Sequence, residues 1–270
     1  MPSRMGSALV GTIRPVNDMP SESDLGHAQA EHWEAEAANW IAWARTPGHD
    51  AYWDYSPRFF DEIVPSPGLR TLEIGCGEGR VTRDLLRRGH HMVAVDPTPS
   101  LVRAAREADR ESKYVLADGA HLPFVDASFD IVVAYNSLMD VDDMHATVAE
   151  AARVLVPGGH LCVCITHPLN DSGTFEEREA EARFVIAGSY LDIHPFNATF
   201  ERDGLTMTFR GFVYPVEAYS RAVEDARLLI EMIREPAQAE VAVAANPAER
   251  RWQRVPMFLF ARAVKPTVGD

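Results

Sequence analysis

The sequence predicts a doubly wound α/β protein, and three observations predict it. Short apolar runs rich in Val, Ile and Leu recur between residues 70 and 167. Amphipathic segments lie between them, with apolar residues three and four apart, the spacing of one helix face. The runs are nearly continuous rather than alternating, as expected of strands buried on both faces of a parallel sheet. Ligands of such sheets sit outside the carboxyl ends of the strands.

Taken in order, residues 1–26 are rich in Pro, Ser, Gly and Met without periodicity, so a flexible tail is expected. From Ala28 the pattern is helical, with Trp33, Ala37, Trp40, Ile41 and Ala44 on one face. A second apolar stripe, Phe59, Phe60, Ile63 and Val64, ends at Pro65. These two segments form an expected helical cap over 27–66, ahead of one domain from 67 to 270. That domain opens with strand RTLEIGC (70–76), helix VTRDLLRRG (81–89), strand HMVAVD (91–96) and helix SLVRAAREAD (100–109). Strands KYVLAD (113–118) and SFDIVVAYN (128–136) follow. A helix over 144–159 turns Met144, Val148, Ala151 and Leu155 inward, and HLCVCITH (160–167) is the fifth strand. Residues 168–214 break the rhythm and read as a lid inserted over the strand ends. Within them, 198–214 alternates about Asp203-Gly204, a hairpin turn pair. A helix from Pro215 and closing strands at 228–235 and 256–264 complete a mostly parallel, seven-stranded sheet.

Composition narrows the partners. The chain has 270 residues, 46% hydrophobic and 24% charged, ordinary for a globular domain. A net charge of −14, with no Lys/Arg cluster, argues against nucleic acid. No run of about 18 apolar residues exists to span a membrane. The opening residues lack a secretory apolar core, and three cysteines build no disulfide framework, so a cytoplasmic location is expected. Cys162 and Cys164, two apart on one strand face, read as packing residues, and no histidine pair completes a metal ligand set.

The most informative stretch is LEIGCGEGR at 72–80. Glycines between a strand and a helix let backbone approach a ligand and leave helix N–H groups free to donate. A dinucleotide fingerprint wants G-x-G-x-x-G. Here the third glycine is Gly79, one place early, and Arg80 holds the fingerprint position. Glu73 precedes the loop as a poor neighbour for a pyrophosphate but a fitting one for a cationic ligand end.

This stretch, the acid ending the second strand, ADGAHLPFVDASFDIVVAYNSL (117–138) and RVLVPGGHL (153–161) together resemble the class I S-adenosylmethionine-dependent methyltransferases. Among these the chain is most similar to the small-molecule enzymes of the ubiquinone/menaquinone-biosynthesis type. The resemblance covers about 70–167 by motif and 215–265 by element order. It implies a Rossmann-like methyltransferase fold with S-adenosylmethionine as cofactor and S-adenosylhomocysteine as product. It also implies methyl transfer to an oxygen, nitrogen or carbon of a small-molecule acceptor, by a monomer or homodimer. Glu73, Gly75, Cys76, Gly77 and Arg80 would surround the methionine portion. Asp96, followed by Pro97, would accept from the ribose, unless it only caps the next helix. Asp118, Gly119 and Ala120 would meet the adenine, unless Asp-Gly is only a turn. Asn136 would meet the amino-acid end. The family's usual glycine before the sixth strand is replaced by Arg227-Leu228.

For the acceptor, His167 at the end of the fifth strand is the first candidate base, ahead of His145 and His194, although a structural histidine fits equally well. Tyr52, Tyr55, His167 and His194 form the expected substrate pocket. Trp40 and Trp53 could also cap the site, but Trp33 and Trp40 read more simply as packing residues. An NAD(P)-dependent oxidoreductase and a non-catalytic S-adenosylmethionine-binding protein stand as alternatives.

Overall fold

The computed structural model describes residues 11–13 and 28–267. Of the expected tail, only strand β1 (Gly11–Ile13) falls within them, so the expectation of flexibility lies otherwise outside the described residues. Helices α1 (Ala28–Arg45) and α2 (Tyr52–Glu62), where the cap was expected, precede the main sheet. Strand β2 (Arg70–Ile74), α3 (Arg80–Arg87), β3 (His91–Asp96), α4 (Pro99–Ala108) and β4 (Lys113–Leu116) follow. Then come β5 (Phe129–Tyr135), α5 (Met144–Val154) and β6 (Leu155–Thr166).

The insertion holds α6 (Pro168–Asp171), a small ladder of β7 (Gly173–Phe175) and β8 (Phe184–Ile186), and a hairpin of β9 (His194–Arg202) and β10 (Leu205–Val213). The chain closes with α7 (Val216–Asp225), β11 (Leu229–Arg234), α8 (Glu240–Ala245), a 3₁₀ turn (Pro247–Gln253) and β12 (Phe258–Val264).

Seven strands form the main sheet in the order β11-β12-β6-β5-β2-β3-β4. The ladders from β6 to β4 are parallel, and β12 runs antiparallel to both neighbours. Alternate strand residues feed two cores. On one face Leu72, Ile74, Val132, Leu161 and Val163 pack with residues of α5 and α7. On the other, Ile131, Val133, Cys162, Cys164 and Phe260 pack beneath α2 and α3. Phe59 of α2 is fully buried there, with its ring centroid 5.1 Å from Tyr135 and 5.3 Å from Phe260.

Two local differences from the sequence expectation have clear causes. The helix expected to reach residue 159 stops at Val154, and Pro157-Gly158-Gly159 belongs to β6. Gly158 N donates to Lys265 O at 2.8 Å and Lys265 N to Gly159 O at 2.9 Å, so the segment is held just beyond the end of β12. Arg227, where the family favours glycine, keeps a left-handed φ of 57°; the turn geometry survives with a side chain in a strained region.

The hairpin turns at Asp203-Gly204, both at positive φ, as that residue pair requires. Its β10 strand lies against α1, where Trp33, Trp40 and Trp43 surround Phe209 at centroid distances of 6.4, 6.1 and 6.0 Å. The hairpin also touches the loop after β5, with Phe212 N donating to Met139 O at 2.9 Å.

Candidate active site

The site is built on a chain reversal between β2 and α3. Gly75 and Gly77 both have positive φ, 73° and 54°. A Cβ on Gly75 would collide with Ser137, and one on Gly77 would lie 2.9 Å from the Trp40 indole nitrogen. Only glycine satisfies both the torsion and the close approach. Gly75 N and Cys76 N donate to Val95 O at 2.9 and 3.0 Å, fastening the loop to the end of β3.

Asp96 closes the same corner. Its Oδ2 accepts from Gly77 N at 2.8 Å and its Oδ1 from Thr98 N at 2.9 Å. Burial pushes the carboxyl above its ordinary range, against the pull of those hydrogen bonds. The expected local bond at the start of α4 is therefore real. The Thr98 side chain bonds the same carboxyl, which leaves acceptor capacity for one further donor.

Glu73 lies in β2, one residue before its end. It is 1% exposed, and its carboxyl accepts from the Thr82 hydroxyl of α3. Burial raises its pKa to about 8, with Thr82 opposing and the Asp96 charge adding to the rise. It supports the loop from below. Cys76 is buried against Ala94 and Tyr114, and burial raises its thiol well above the usual range.

Arg80 projects under the cap. Its Nη1 donates to Asp50 Oδ2 at 2.6 Å, and its guanidinium stacks over Tyr52 at 4.2 Å and Trp40 at 4.9 Å. The neighbouring Glu78 escaped the sequence reading. It is buried and accepts from Arg45 Nε of α1 and Arg83 Nη2 of α3, both at 2.6 Å. This buried carboxylate, gripped by two partly exposed arginines, ties α1 to the loop; a lone acid inside a glycine run carries no signal that arginines 33 residues before and five after would meet it.

The other strand ends complete the rim. Pro97 is exposed beside Asp96. Asp118 is half exposed and accepts from Ala120 N at 2.9 Å, while Gly119 packs against Ile74 and Thr147. Asn136 takes a left-handed φ of 50°, and its N donates to Cys164 O at 2.7 Å. Ser137, also missed, packs on Gly75 and donates to Ile74 O at 2.8 Å. Two further acids were missed: Asp171, raised to about 6 by burial and bonded by the Thr166 hydroxyl at 2.6 Å, and Asp140, pushed well up by burial.

The acceptor-side candidates are distributed rather than gathered. Tyr52 donates to Asp84, and Tyr55 packs edge-on to Phe258 at 5.0 Å. His167 is buried, and both ring nitrogens are engaged. Nδ1 accepts from Leu169 N at 3.0 Å, which assigns the proton to Nε2, 2.9 Å from Glu235 Oε1. Burial lowers its pKa. It lines a cavity of about 620 Å³ with Leu169, Tyr190, Val216, Glu235 and Leu259. His194 contacts its own turn at Asp192 O, 3.1 Å away, and His145 faces Asp225 at 3.4 Å on the exposed side of α5.

Residues 72–163 match the protein family described as a methyltransferase domain. The match covers about a third of the chain. Around it, the chain is 36% identical over 107 residues to an uncharacterized methyltransferase of Mycobacterium tuberculosis, covering 40% of this chain and 44% of that protein. It is 34% identical over 119 residues to a demethylmenaquinone methyltransferase of Corynebacterium kroppenstedtii, covering 44% of this chain and 50% of that one. The chain thus spans about half the length of the curated relatives it matches.

A methyltransferase structure from Mesorhizobium loti superposes with a TM-score of 0.63 at 23% identity, over 80% of this chain and 98% of that one. A 1,6-didemethyltoxoflavin-N1-methyltransferase from Burkholderia thailandensis, solved with S-adenosylhomocysteine, gives 0.56 at 14% identity, over 96% and 95%. The fold around the methyltransferase domain is therefore the Rossmann-like methyltransferase fold. Among the described residues, no helix is long and apolar enough to cross a membrane.

Proposed function

We propose that the chain is an S-adenosylmethionine-dependent methyltransferase acting on an oxygen, nitrogen or carbon of a small metabolite in the cytoplasm. The observation that carries this reading is the corner where Gly77 N, Asp96 and the positive-φ glycines converge within a methyltransferase domain. The residues fit the cofactor: the cradle is one that a Cβ would fill, and Asp96 keeps acceptor capacity for one further hydroxyl. When bound, the cofactor supplies an electrophilic methyl on a sulfonium.

The chain's own residues then bind, orient and exclude water, which provides most of the acceleration for an in-line displacement. Asp96 would hold the ribose, Asp118 with Gly119 and Ala120 the adenine, and Asn136 with Gly75, Cys76 and Gly77 the amino-acid end. Arg80, fixed by Asp50, offers its remaining N–H groups to a carboxylate. Insertion 168–214 would act as the lid. His167 could accept a proton only after releasing Leu169 N or passing its Nε2 proton to Glu235, so it acts here as a positioning cap for α6.

Calorimetric titration with S-adenosylhomocysteine and with NAD(H) tests the reading. Binding of the former alone is expected, and binding of NAD(H) alone would reverse it in favour of an oxidoreductase. Asp96→Ala should weaken S-adenosylhomocysteine by about 1–3 kcal/mol; unchanged affinity would leave Asp96 only its bonds to Gly77 and Thr98. Radiolabelled methyl transfer to any metabolite separates an enzyme from a binding protein.

A further inference from the structure

Beyond the glycine cradle, the carboxyl edge of the sheet carries the cavity of about 620 Å³ beside His167, a size that suits a small ligand. Its apolar walls come from five elements that meet only in the fold: Leu169 of α6, Ile186 of β8, Val216 of α7, Ile233 of β11 and Leu259 of β12. Ile186 and Ile233 are 43% and 45% exposed. Large apolar side chains gathered around an open space, rather than packed into a core, are surface that a ligand can cover. Met232 packs in the core beneath α2 and α3, so Ile233 and Glu235 belong to the opposite side of the strand.

One corner of this space is polar, and it is negative. His167 Nε2 donates to Glu235 Oε1 at 2.9 Å, and among the described residues the second carboxylate oxygen takes no hydrogen bond. His167 brings no charge to offset the acid, because burial holds its pKa below the ordinary value. Arg234, next in the chain, faces the other way, 3.7 Å from Glu62 of α2. Among the described residues no arginine or lysine pairs with Glu235. The Tyr190 hydroxyl accepts from Val216 N at 3.2 Å, which leaves its own proton for another acceptor.

An apolar molecule covering this corner would bury the carboxylate, and a buried carboxylate without a cation is costly. A ligand that brings an ammonium group supplies both the missing charge and the missing donors. An anion would be repelled, the more so by a chain of net charge −14. We propose that this cavity binds a compact apolar amine, its ammonium on Glu235 and its hydrocarbon body against Leu169, Ile186, Val216, Ile233 and Leu259. Strand β12 runs antiparallel to both β6 and β11, so β11 ends at the same edge as β6. In the order β11-β12-β6-β5, Glu235 lies three strand spacings, about 14 Å, from Asn136 just past β5. An amine held there stays clear of the glycine cradle, so the site stands apart from the methyltransferase reading.

Calorimetric titration of the full chain with phenethylamine, tryptamine and hexylamine, each beside the corresponding alcohol and carboxylate, tests this. At least one amine should bind about tenfold tighter than its alcohol, and no carboxylate should bind. Glu235→Gln keeps an oxygen for the His167 proton and should reduce that preference to about twofold or less. Ile233→Trp, at an exposed position of the edge strand, should fill the cavity and weaken the amine about tenfold. Failure of every amine to bind, equal binding of amine and alcohol, or an amine affinity unchanged in Glu235→Gln would each overturn the proposal. Displacement of the amine by saturating S-adenosylhomocysteine would place it in the cradle and would overturn it too. If S-adenosylhomocysteine itself fails to bind, the methyltransferase reading falls, and the amine titrations still decide whether this cavity is a site.

Discussion

Glu73 illustrates how burial changes what a residue means. Its type and position were legible, because an acid before a glycine turn stands out in an apolar strand. Its environment was not, because Thr82 reaches it only once α3 has folded back. With a folded pKa of about 8 against an ordinary 4.5, the native state holds the proton more tightly than the unfolded chain. Stability contributed by that proton is present below pH 4.5 and is lost as pH rises toward 8. Asp171, raised to about 6, acts in the same direction over a lower window. Thermal midpoints of Glu73→Gln and the parent protein should therefore lie close together near pH 4.5 and separate by pH 8, with the variant higher. Equal slopes across that range would show that Glu73 ionises normally. Asp96 was legible in type and place: its carboxyl takes backbone bonds from Gly77 and Thr98, and its role toward ribose stays a proposal.

At the level of elements, strands and helices between 70 and 167 were readable because their signals are local: apolar runs, helical spacing and glycine stops. The α5–β6 boundary was misplaced because Gly158 and Gly159 are held by Lys265, a hundred residues away. The hairpin was readable from Asp203-Gly204, but its docking partner was not. Phe209 meets three tryptophans of α1, and no spacing in either segment encodes that encounter. Trp40, which the sequence suggested was a packing residue, does pack in this way, and its indole also rests on Gly77. A ligand entering the cradle must change the surroundings of that indole. S-adenosylhomocysteine should therefore shift or quench tryptophan emission, and Trp40→Phe should remove most of the change. A full response in the variant would place the reporting indole elsewhere.

On the scale of the whole molecule, the seven-stranded sheet supplies a rigid floor, with both faces sealed by separate cores. The same architecture bears on the order of traffic through the site. Helix α1 rests on the glycine loop through Trp40, is fastened to it by Arg45 and Glu78, and carries the hairpin through Phe209. In the proposed reading one beam roofs two rooms, and the inner one empties after the outer. The nucleoside should enter first and leave last. In steady-state kinetics the methylated product should then inhibit without competing against the acceptor. Purely competitive inhibition would mean that the two rooms have separate doors.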